Sequence, residues 1–267
     1  MYKSSASMQT LNRRTFLSLS ALGLTGLLTA CGNGLGQSSS PTPTATATRS
    51  PSLTAADWAD LAQHLQGEVV LPTDDRYAVA HQLFNTRFDS IHPAAIVYCS
   101  SPADVQTCLA FVQRFALPFT VRSGGHSYAG YSTTTGLVLD VTRMKQVTVG
   151  GNAGTVTIDA GARLIDVYAT LAQSGVIIPA GSCATVGIAG LTLGGGVGVL
   201  SRKFGLTSDN LLSAQVVLAN GEMVACDKNT HADLFWALQG GGGGNFGVVT
   251  SFTFQTHAVD TLVLFTL

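Results

Sequence analysis

The sequence predicts an α+β protein in which a small parallel unit precedes a larger, mostly antiparallel one. A short apolar strand at residues 95–99, a helix from Ser101 and a strand at residues 119–121 form a strand–helix–strand unit. Such a unit implies parallel strands joined by a right-handed crossover. Beyond it, short segments of alternating hydrophobicity dominate, and Asn220-Gly221 lies between two apolar runs, which is typical of a tight hairpin.

The first unit carries two helix signals. Residues 55–66 place Trp58 and two leucines on one face, which predicts a short helix. Ser101 is a good N-cap for the second helix, with Pro102 at its first position. Asp104 stands where it would complete a capping box with Ser101.

The second unit carries its own signals. Residues 163–174 have a helical pattern closed by Gly175. Thr230 with Asp233 predicts the cap of a short helix that runs through Leu238. A final strand follows, in which apolar and polar positions alternate over residues 248–254.

Composition restricts the function. Hydrophobic residues make up 46% of the chain and charged residues 11%, so a large core is available. The net charge is -1 and no basic stripe occurs, which argues against nucleic acid as a partner. The five cysteines are an odd number without paired metal-type spacing, so no metal site is expected.

The first 31 residues are predicted to be an export signal. Arg13-Arg14 precedes an apolar stretch at residues 19–30 that is too short to span a bilayer, a pattern typical of a twin-arginine signal. Leu28-Thr29-Ala30-Cys31 resembles a bacterial lipobox, which makes Cys31 the expected lipidated residue. An ordinary secretory signal is the alternative. The twin-arginine route carries folded proteins, which often hold a cofactor.

The Ser/Thr/Pro-rich residues 32–54 are too poor in large apolar side chains to fold and predict a flexible spacer. A folded domain is expected over residues 55–260. The predicted location is the outer face of the cytoplasmic membrane or the cell envelope, with the membrane contacted only through the lipid anchor.

Three glycine-rich segments carry the candidate chemistry. In the first, Arg122-Ser123-Gly124-Gly125-His126-Ser127 directly follows a strand. Two glycines allow the backbone to approach a ligand closely and present N–H groups to an anion. A turn with an incidental histidine is the alternative for this segment alone.

The second segment runs through residues 179–198 and contains Cys183. Glycine at this density in an apolar setting indicates backbone laid against a large flat or anionic ligand, while tight strand packing is the alternative. A single cysteine such as Cys183 is more often a small buried hydrophobe than a reactive thiol.

In the third segment, Gly242, Gly244 and Gly247 match the dinucleotide-binding G-x-G-x-x-G pattern. A helix precedes the pattern and a strand follows it, which is the reverse of a Rossmann unit, and no acidic residue lies about 20 positions on. NAD binding is therefore rejected.

Together, residues 121–130, 178–209 and 233–254 resemble the FAD-linked oxidases of the vanillyl-alcohol-oxidase type, and within them the berberine-bridge-enzyme-like branch. The three motifs stand in family order, and the resemblance covers about residues 88–257. It implies a PCMH-type FAD-binding domain made of a small parallel α/β subdomain and a larger, mostly antiparallel α+β subdomain.

The resemblance implies covalent FAD, with His126 joined to the flavin 8α-methyl carbon and Cys183 to C6. A neutral imidazole and a thiolate are suitable nucleophiles for these positions. The loop of residues 122–127 would cradle the pyrophosphate, and Val249 would contact the adenine end. The remaining implied contacts, along the isoalloxazine and ribityl chain, are Thr185, Val186, Gly187, Gly190, Leu193, Gly194 and Gly198.

The resemblance also implies an activity. The expected function is that of an oxidase-type, FAD-dependent oxidoreductase that oxidises a small alcohol or sugar-like substrate, with O2 as the electron acceptor. Many sugar-oxidising relatives have His where this chain has Leu191. Relatives continue into a substrate domain that this sequence lacks, so no catalytic base is assigned. The alternatives are an inactive flavin-binding fragment and a lipoprotein interaction module that binds no flavin.

Overall fold

A computed structural model of the chain describes residues 53–151 and 154–259. The predicted signal peptide, the lipidation site Cys31 and all but the last two residues of the predicted spacer lie outside the described residues. The described residues form an α+β fold, which confirms the predicted class. None of the helices in these two ranges is long and apolar enough to cross a membrane.

The first sheet has four strands in the order β1-β2-β4-β3. Strands β2, β3 and β4 are parallel, and β1 is antiparallel to β2. Its strands are β1 (Glu68–Val70), β2 (Ala95–Tyr98), β3 (Phe119–Arg122) and β4 (Leu137–Asp140).

Strand β4 corrects one detail of the predicted strand–helix–strand unit. Strands β2 and β3 are parallel as predicted, but β4 lies between them, so each pairs with β4 and not with the other. All four residues of β4 are buried, and an apolar strand buried on both faces belongs in the middle of a parallel sheet.

Three helices accompany this sheet: α1 (Ala55–Gln63), α2 (Tyr77–Ala80) and α3 (Pro102–Phe115), with a 3-10 turn at Thr86–Phe88. Ser101 caps α3 as predicted, because its side chain accepts a hydrogen bond from Asp104 N. The reciprocal hydrogen bond of the predicted capping box, from Ser101 N to the Asp104 carboxylate, is wrong. The Asp104 carboxylate instead accepts from the backbone N–H groups of Ser100, Gln66 and Gly67, and so fixes the link between α1 and β1.

The second sheet has five antiparallel strands in the order β5-β6-β10-β8-β9. The predicted Asn220-Gly221 turn joins β8 to β9, where Leu218 N donates to Glu222 O at 2.8 Å. A two-stranded sheet pairs β7 with β11. The strands are β5 (Val147–Val149), β6 (Thr155–Asp159), β7 (Val176–Ile177), β8 (Leu211–Val217), β9 (Met223–Asp227), β10 (Val248–Gln255) and β11 (His257–Ala258).

Helices α4 (Leu164–Gln173), α5 (Ile188–Leu193), α6 (Ser201–Phe204) and α7 (Ala232–Leu238) belong to this second part, with a 3-10 turn at Ser208–Asn210. Helix α4 confirms the helix predicted over residues 163–174. The cap predicted at Thr230 is wrong, because α7 begins after His231, which makes no side-chain cap. Thr230 instead closes the turn after β9, where its backbone N–H donates to the Asp227 carboxylate.

One hydrophobic core runs through both sheets. It joins side chains of α3 and β4 to side chains of β6, β8 and β10, among them the fully buried Leu139, Ile158 and Phe252. Because the two parts share this core, the loops at their junction are held in fixed relative positions.

Candidate cofactor site

A cavity of about 980 Å³ lies where β3, α5 and the start of β10 meet. Its walls come from all three glycine-rich segments: the first glycine loop (residues 123–127), the second glycine loop (residues 179–187) and the third glycine loop (residues 240–247). Side chains and backbone of α5 and β10 complete the walls, through residues that include Gly190, Leu191 and Val249.

The first and second glycine loops touch backbone to backbone. A Cβ on Gly187 would lie 2.1 Å from Ser123 Oγ and 2.3 Å from Gly124 N, and a Cβ on Gly124 would lie 2.2 Å from Gly187 N. No side chain fits between them, so both positions require glycine. The hydroxyl of Ser123 donates to Ala160 O at 2.7 Å and fastens the first loop to the second sheet.

Helix α4 anchors the second glycine loop. The N–H groups at the start of a helix have no partner inside the helix. Here Leu164 N donates to Val186 O and Ile165 N donates to Ala184 O, both at 3.0 Å. The hydroxyl of Tyr168 donates to Gly181 O at 2.8 Å, and burial raises the pKa of Tyr168 to about 12, so it remains a donor.

His126 is held on two sides. Its Nε2 lies 2.9 Å from Thr185 Oγ1, and its ring stacks on Phe84 with the ring centroids 4.0 Å apart. Burial lowers the pKa of His126, and the nearby positive charge of Arg163 lowers it further. The neutral imidazole is therefore favoured. Phe84 was missed in the sequence, because it lies far from the glycine loops along the chain.

Cys183 shares a neighbour with His126. Its Sγ is 3.9 Å from Thr185 Oγ1, so the hydroxyl of Thr185 lies within contact distance of both predicted attachment residues. Cys183 is exposed, whereas the other cysteines of the described ranges, Cys99, Cys108 and Cys226, are buried. The expectation that a lone cysteine is a buried hydrophobe thus does not apply to Cys183.

Most of the predicted site residues line the cavity. These are Ser123, Gly124, Gly125, His126, Ser127, Val186, Gly187, Gly190, Leu193 and Val249. Five predicted residues do not line it: Arg122, Cys183, Thr185, Gly194 and Gly198. Thr185 contacts His126, which lines the cavity, and Cys183 contacts Thr185. The other three residues have structural partners.

The side chain of Arg122 is buried in the core, where Nε and Nη2 have partners and Nη1 has none among the described residues. Its Nε lies 2.5 Å from Asp140 Oδ2, and its Nη2 donates to Ala80 O at 2.8 Å. Arg122 and Asp140 are register partners at the ends of β3 and β4, and both are buried. The guanidinium therefore supports the base of the first glycine loop and does not line the cavity.

Gly194 and Gly198 also have structural roles. Gly194 ends α5 with hydrogen bonds from its N–H to carbonyls of that helix. A Cβ on Gly198 would lie 1.8 Å from Ala180 O, so Gly198 allows a close approach between two backbone segments. At Gly198, therefore, glycine serves tight backbone packing, the alternative considered for the second glycine-rich segment.

Sequence reasoning missed part of the cavity wall. The third glycine loop contributes Gly242, Gly243, Gly244, Asn245 and Gly247, although only Val249 was expected from that region. The run of glycines was the available signal. A second missed wall includes Thr133, whose buried hydroxyl has no hydrogen-bond partner in the described part of the chain.

The cavity suits a large, flat ligand with polar groups. Polar side chains in its lining, among them Ser127 and Asn245, can hydrogen-bond such a ligand. A Cβ on Gly190 would meet no protein atom within 4 Å, so the α5 backbone leaves an open wall against which a ligand packs. Apolar side chains such as Val141 and Leu193 complete the lining, which is the usual composition of a cofactor site.

Residues 93–227, just over half of the chain, match the family model described as FAD binding domain. The chain belongs to this FAD-binding family. Its relatives are named FAD-linked oxidoreductases and include berberine bridge enzyme-like proteins. The FAD-binding domain expected from the glycine motifs is thereby confirmed.

One curated relative and two solved structures illustrate the similarity. An uncharacterised FAD-linked oxidoreductase of Bacillus subtilis, YgaK, is 40% identical over 208 residues, which cover 76% of this chain and 46% of the relative. BBE-like 1 of Physcomitrella patens has 37% sequence identity and a TM-score of 0.73, covering 76% of this chain and 44% of that one. Glucooligosaccharide oxidase of Acremonium strictum has 33% identity and a TM-score of 0.68, covering 75% and 42%. The chain thus spans less than half the length of these relatives.

Proposed function

We propose that this FAD-binding domain holds its flavin through two covalent bonds, from His126 and Cys183, and serves an oxidase-type oxidoreductase. The observation that carries the proposal is the meeting of both side chains at the Thr185 hydroxyl, with His126 also lining the cavity. Two nucleophiles on different loops thereby lie next to one hydroxyl, and one of them, His126, lines the cofactor cavity.

The chemistry of the two residues supports this role. A neutral imidazole is the nucleophilic form of histidine, and burial next to Arg163 favours it by lowering the pKa of His126. Cys183 is exposed, so its thiol is accessible for reaction. The glucooligosaccharide oxidase of Acremonium strictum is described as carrying a 6-S-cysteinyl, 8α-N1-histidyl FAD, which uses the same two residue types.

The remaining cavity residues bind and orient the cofactor. The first and third glycine loops line the cavity, and we assign their backbone N–H groups to bind a polar or anionic group of FAD. Apolar side chains, including Val186, Leu191 and Leu193, exclude water from the ring. When bound, flavin accepts a hydride from a substrate C–H bond and passes electrons to an acceptor, for which we propose O2.

The proposed substrate class comes from the named activity of a similar protein. The Acremonium protein is named an oligosaccharide oxidase, which favours a small alcohol or carbohydrate-like substrate for the enzyme that contains this domain. Leu191 lines the cavity with an apolar side chain, so this part of the wall offers no proton donor or acceptor.

Covalent attachment is tested on the full chain by denaturing and precipitating it, then measuring flavin absorbance in the pellet. We expect the wild type to retain flavin, the variants His126→Ala and Cys183→Ala each to retain it through the other bond, and the double variant to lose it. His64→Ala, at an exposed histidine, is the matched control. Flavin that stays in the supernatant of the wild type would refute covalent attachment while leaving FAD binding intact.

Turnover is tested separately by oxygen consumption with added alcohols and oligosaccharides. Oxygen uptake that depends on bound flavin supports the oxidase. A flavin-loaded chain that turns over none of these compounds supports the alternative of an inactive flavin-binding fragment. A folded but colourless protein, which takes up no added FAD, would indicate the interaction module.

We also propose export and lipid anchoring through Cys31, which rest on the sequence pattern alone. Mass spectrometry of the N-terminal peptide from the membrane fraction should show a lipid on Cys31. The variant Cys31→Ser should move the protein to the soluble envelope fraction. An unmodified Cys31 in a membrane-bound protein would contradict the proposal.

A further inference from the structure

The hydroxyl of Thr185 lies within hydrogen-bonding range of both proposed attachment residues. Its Oγ1 lies 2.9 Å from His126 Nε2 and 3.9 Å from Cys183 Sγ. A hydroxyl has one proton to donate and two lone pairs to accept with. Two arrangements place the hydroxyl proton between these residues: the hydroxyl accepts from Nε2–H and donates towards sulfur, or it donates to Nε2 and accepts from S–H.

The two arrangements differ in the nitrogen that is free to react. A neutral imidazole carries one N–H and one lone pair. If Nε2 donates to Thr185, the lone pair is on Nδ1 of His126, and the hydroxyl proton is available to stabilise the Cys183 thiolate. If Nε2 accepts from Thr185, Nδ1 carries the proton and is no nucleophile, and the hydroxyl has no proton left to donate to sulfur.

Thr185 is held in place by its neighbours. The carbonyls of Ala184 and Val186, on either side of it, each accept a hydrogen bond from the first turn of α4. Its own carbonyl lies against Gly124, where a Cβ would come within 2.9 Å. A β-branched side chain on a fixed backbone has restricted χ1 freedom, so the hydroxyl is directed to one place.

We propose that Thr185 is a positioning residue for flavin attachment: its hydroxyl accepts the Nε2–H of His126 and donates towards Cys183 Sγ. This leaves Nδ1 of His126 as the attacking nitrogen and directs the hydroxyl proton at Cys183 Sγ in the same arrangement. The inference rests on the proposed covalent function. It concerns the protein before attachment, where only the position of two protons is at issue. Each bond would then form with loss of one hydrogen from a flavin carbon and one from the protein nucleophile, and O2, the acceptor proposed above, would take up both as H2O2.

The matched variants are Thr185→Val, which keeps the shape and removes the hydroxyl, and Thr185→Ser, which keeps the hydroxyl. Thr157→Val, at an exposed threonine of β6, is the control for the loss of a surface hydroxyl. The first readout is the ¹⁵N NMR spectrum of flavin-free protein labelled at histidine, with His126 assigned from the His126→Gln variant. We expect the Nε2–H tautomer of His126 in the wild type and in Thr185→Ser, and a mixture of tautomers in Thr185→Val.

The second readout is the rate at which flavin becomes resistant to denaturation after FAD is added. We expect Thr185→Val to be slower by about tenfold, the factor that corresponds to one hydrogen bond of ordinary strength, with rescue by Thr185→Ser. Because a fold defect would also slow attachment, urea unfolding of each flavin-free variant is measured in parallel. If Thr185→Val does not fold, Thr185→Ala replaces it.

The outcomes separate this inference from the proposed function. A wild type with His126 as the Nδ1–H tautomer, or a Thr185→Val variant with unchanged tautomer and attachment rate, would overturn the role of Thr185. A wild type that binds FAD without a covalent bond would overturn the covalent function on which the role rests. The tautomer measurement on the flavin-free chain would still report separately on the Thr185–His126 hydrogen bond.

Discussion

The substitution Gly190→Ala is expected to change FAD binding and the stability of the flavin-free fold in different ways. Gly190 lies inside α5, and a methyl group there meets no protein atom within 4 Å. Because the residue lines the cavity, the added methyl occupies the space assigned to the flavin. The flavin-free protein and the flavin complex should therefore respond in opposite directions.

The magnitudes follow from the local structure. Alanine inside a helix is more favourable than glycine by about 0.5–1 kcal/mol. For a domain of this size, that corresponds to a rise in Tm of about 1–4 °C in the flavin-free protein. An extra methyl in a well-packed site costs about 1–3 kcal/mol, so FAD affinity should fall by about 5- to 150-fold.

The assay compares thermal unfolding of the flavin-free full chain with FAD titration followed by flavin fluorescence. Gly151→Ala is the control, because its methyl group also meets no protein atom but its residue does not line the cavity. Unchanged FAD affinity in Gly190→Ala, or a lower Tm without flavin, would show that the α5 backbone does not form the wall of the flavin site.

Three further outcomes are expected, each in the flavin-free chain. Gly187→Ala should lower the free energy of unfolding in urea by about 1–3 kcal/mol, because its Cβ would overlap the first glycine loop, and an unchanged value would contradict the close contact. Asp140→Asn leaves the Arg122 charge buried without its charged partner and should lower the free energy of unfolding in urea by about 3–5 kcal/mol. A decrease below about 1 kcal/mol, the usual value of an exposed ion pair, would show that this pair is solvated. Burial, and to a smaller extent the charge of Arg163, lowers the pKa of His126 below its ordinary value. The unfolded state therefore binds more protons than the folded state as pH falls below about 6.5, and the free energy of unfolding falls with pH. The variant His126→Gln should show a shallower fall between pH 7 and pH 5, and an equally steep fall would contradict the lowered pKa.

The elements predicted correctly are those whose signals are local. Helix α4 has its pattern and its closing glycine within one short segment, and the turn at Asn220-Gly221 has a strong backbone preference. The insertion of β4 between β2 and β3 was not predicted, because it depends on pairing with strands distant in sequence. The cap at Thr230 failed for a related reason, since the turn after β9 uses that residue's backbone.

The same distinction holds for the site. Glycine density located the first and second loops, because glycine is required wherever backbone meets backbone, as at Gly124 and Gly187. The engagement of Arg122 could not be predicted, since its partner Asp140 is supplied by another strand. The bridging position of Thr185 likewise depends on the approach of two loops and has no signal in the local sequence.

The meeting of His126 and Cys183 at one hydroxyl has a consequence for chain entropy. A flavin bonded to both residues would close the segment 126–183 into a covalent ring, as a disulfide does. By the loop-entropy relation for cross-links, a closed segment of this length disfavours the unfolded state by about 4 kcal/mol. The cofactor would then remain in the chain through transient unfolding and would speed its return to the folded state by keeping the two loops together.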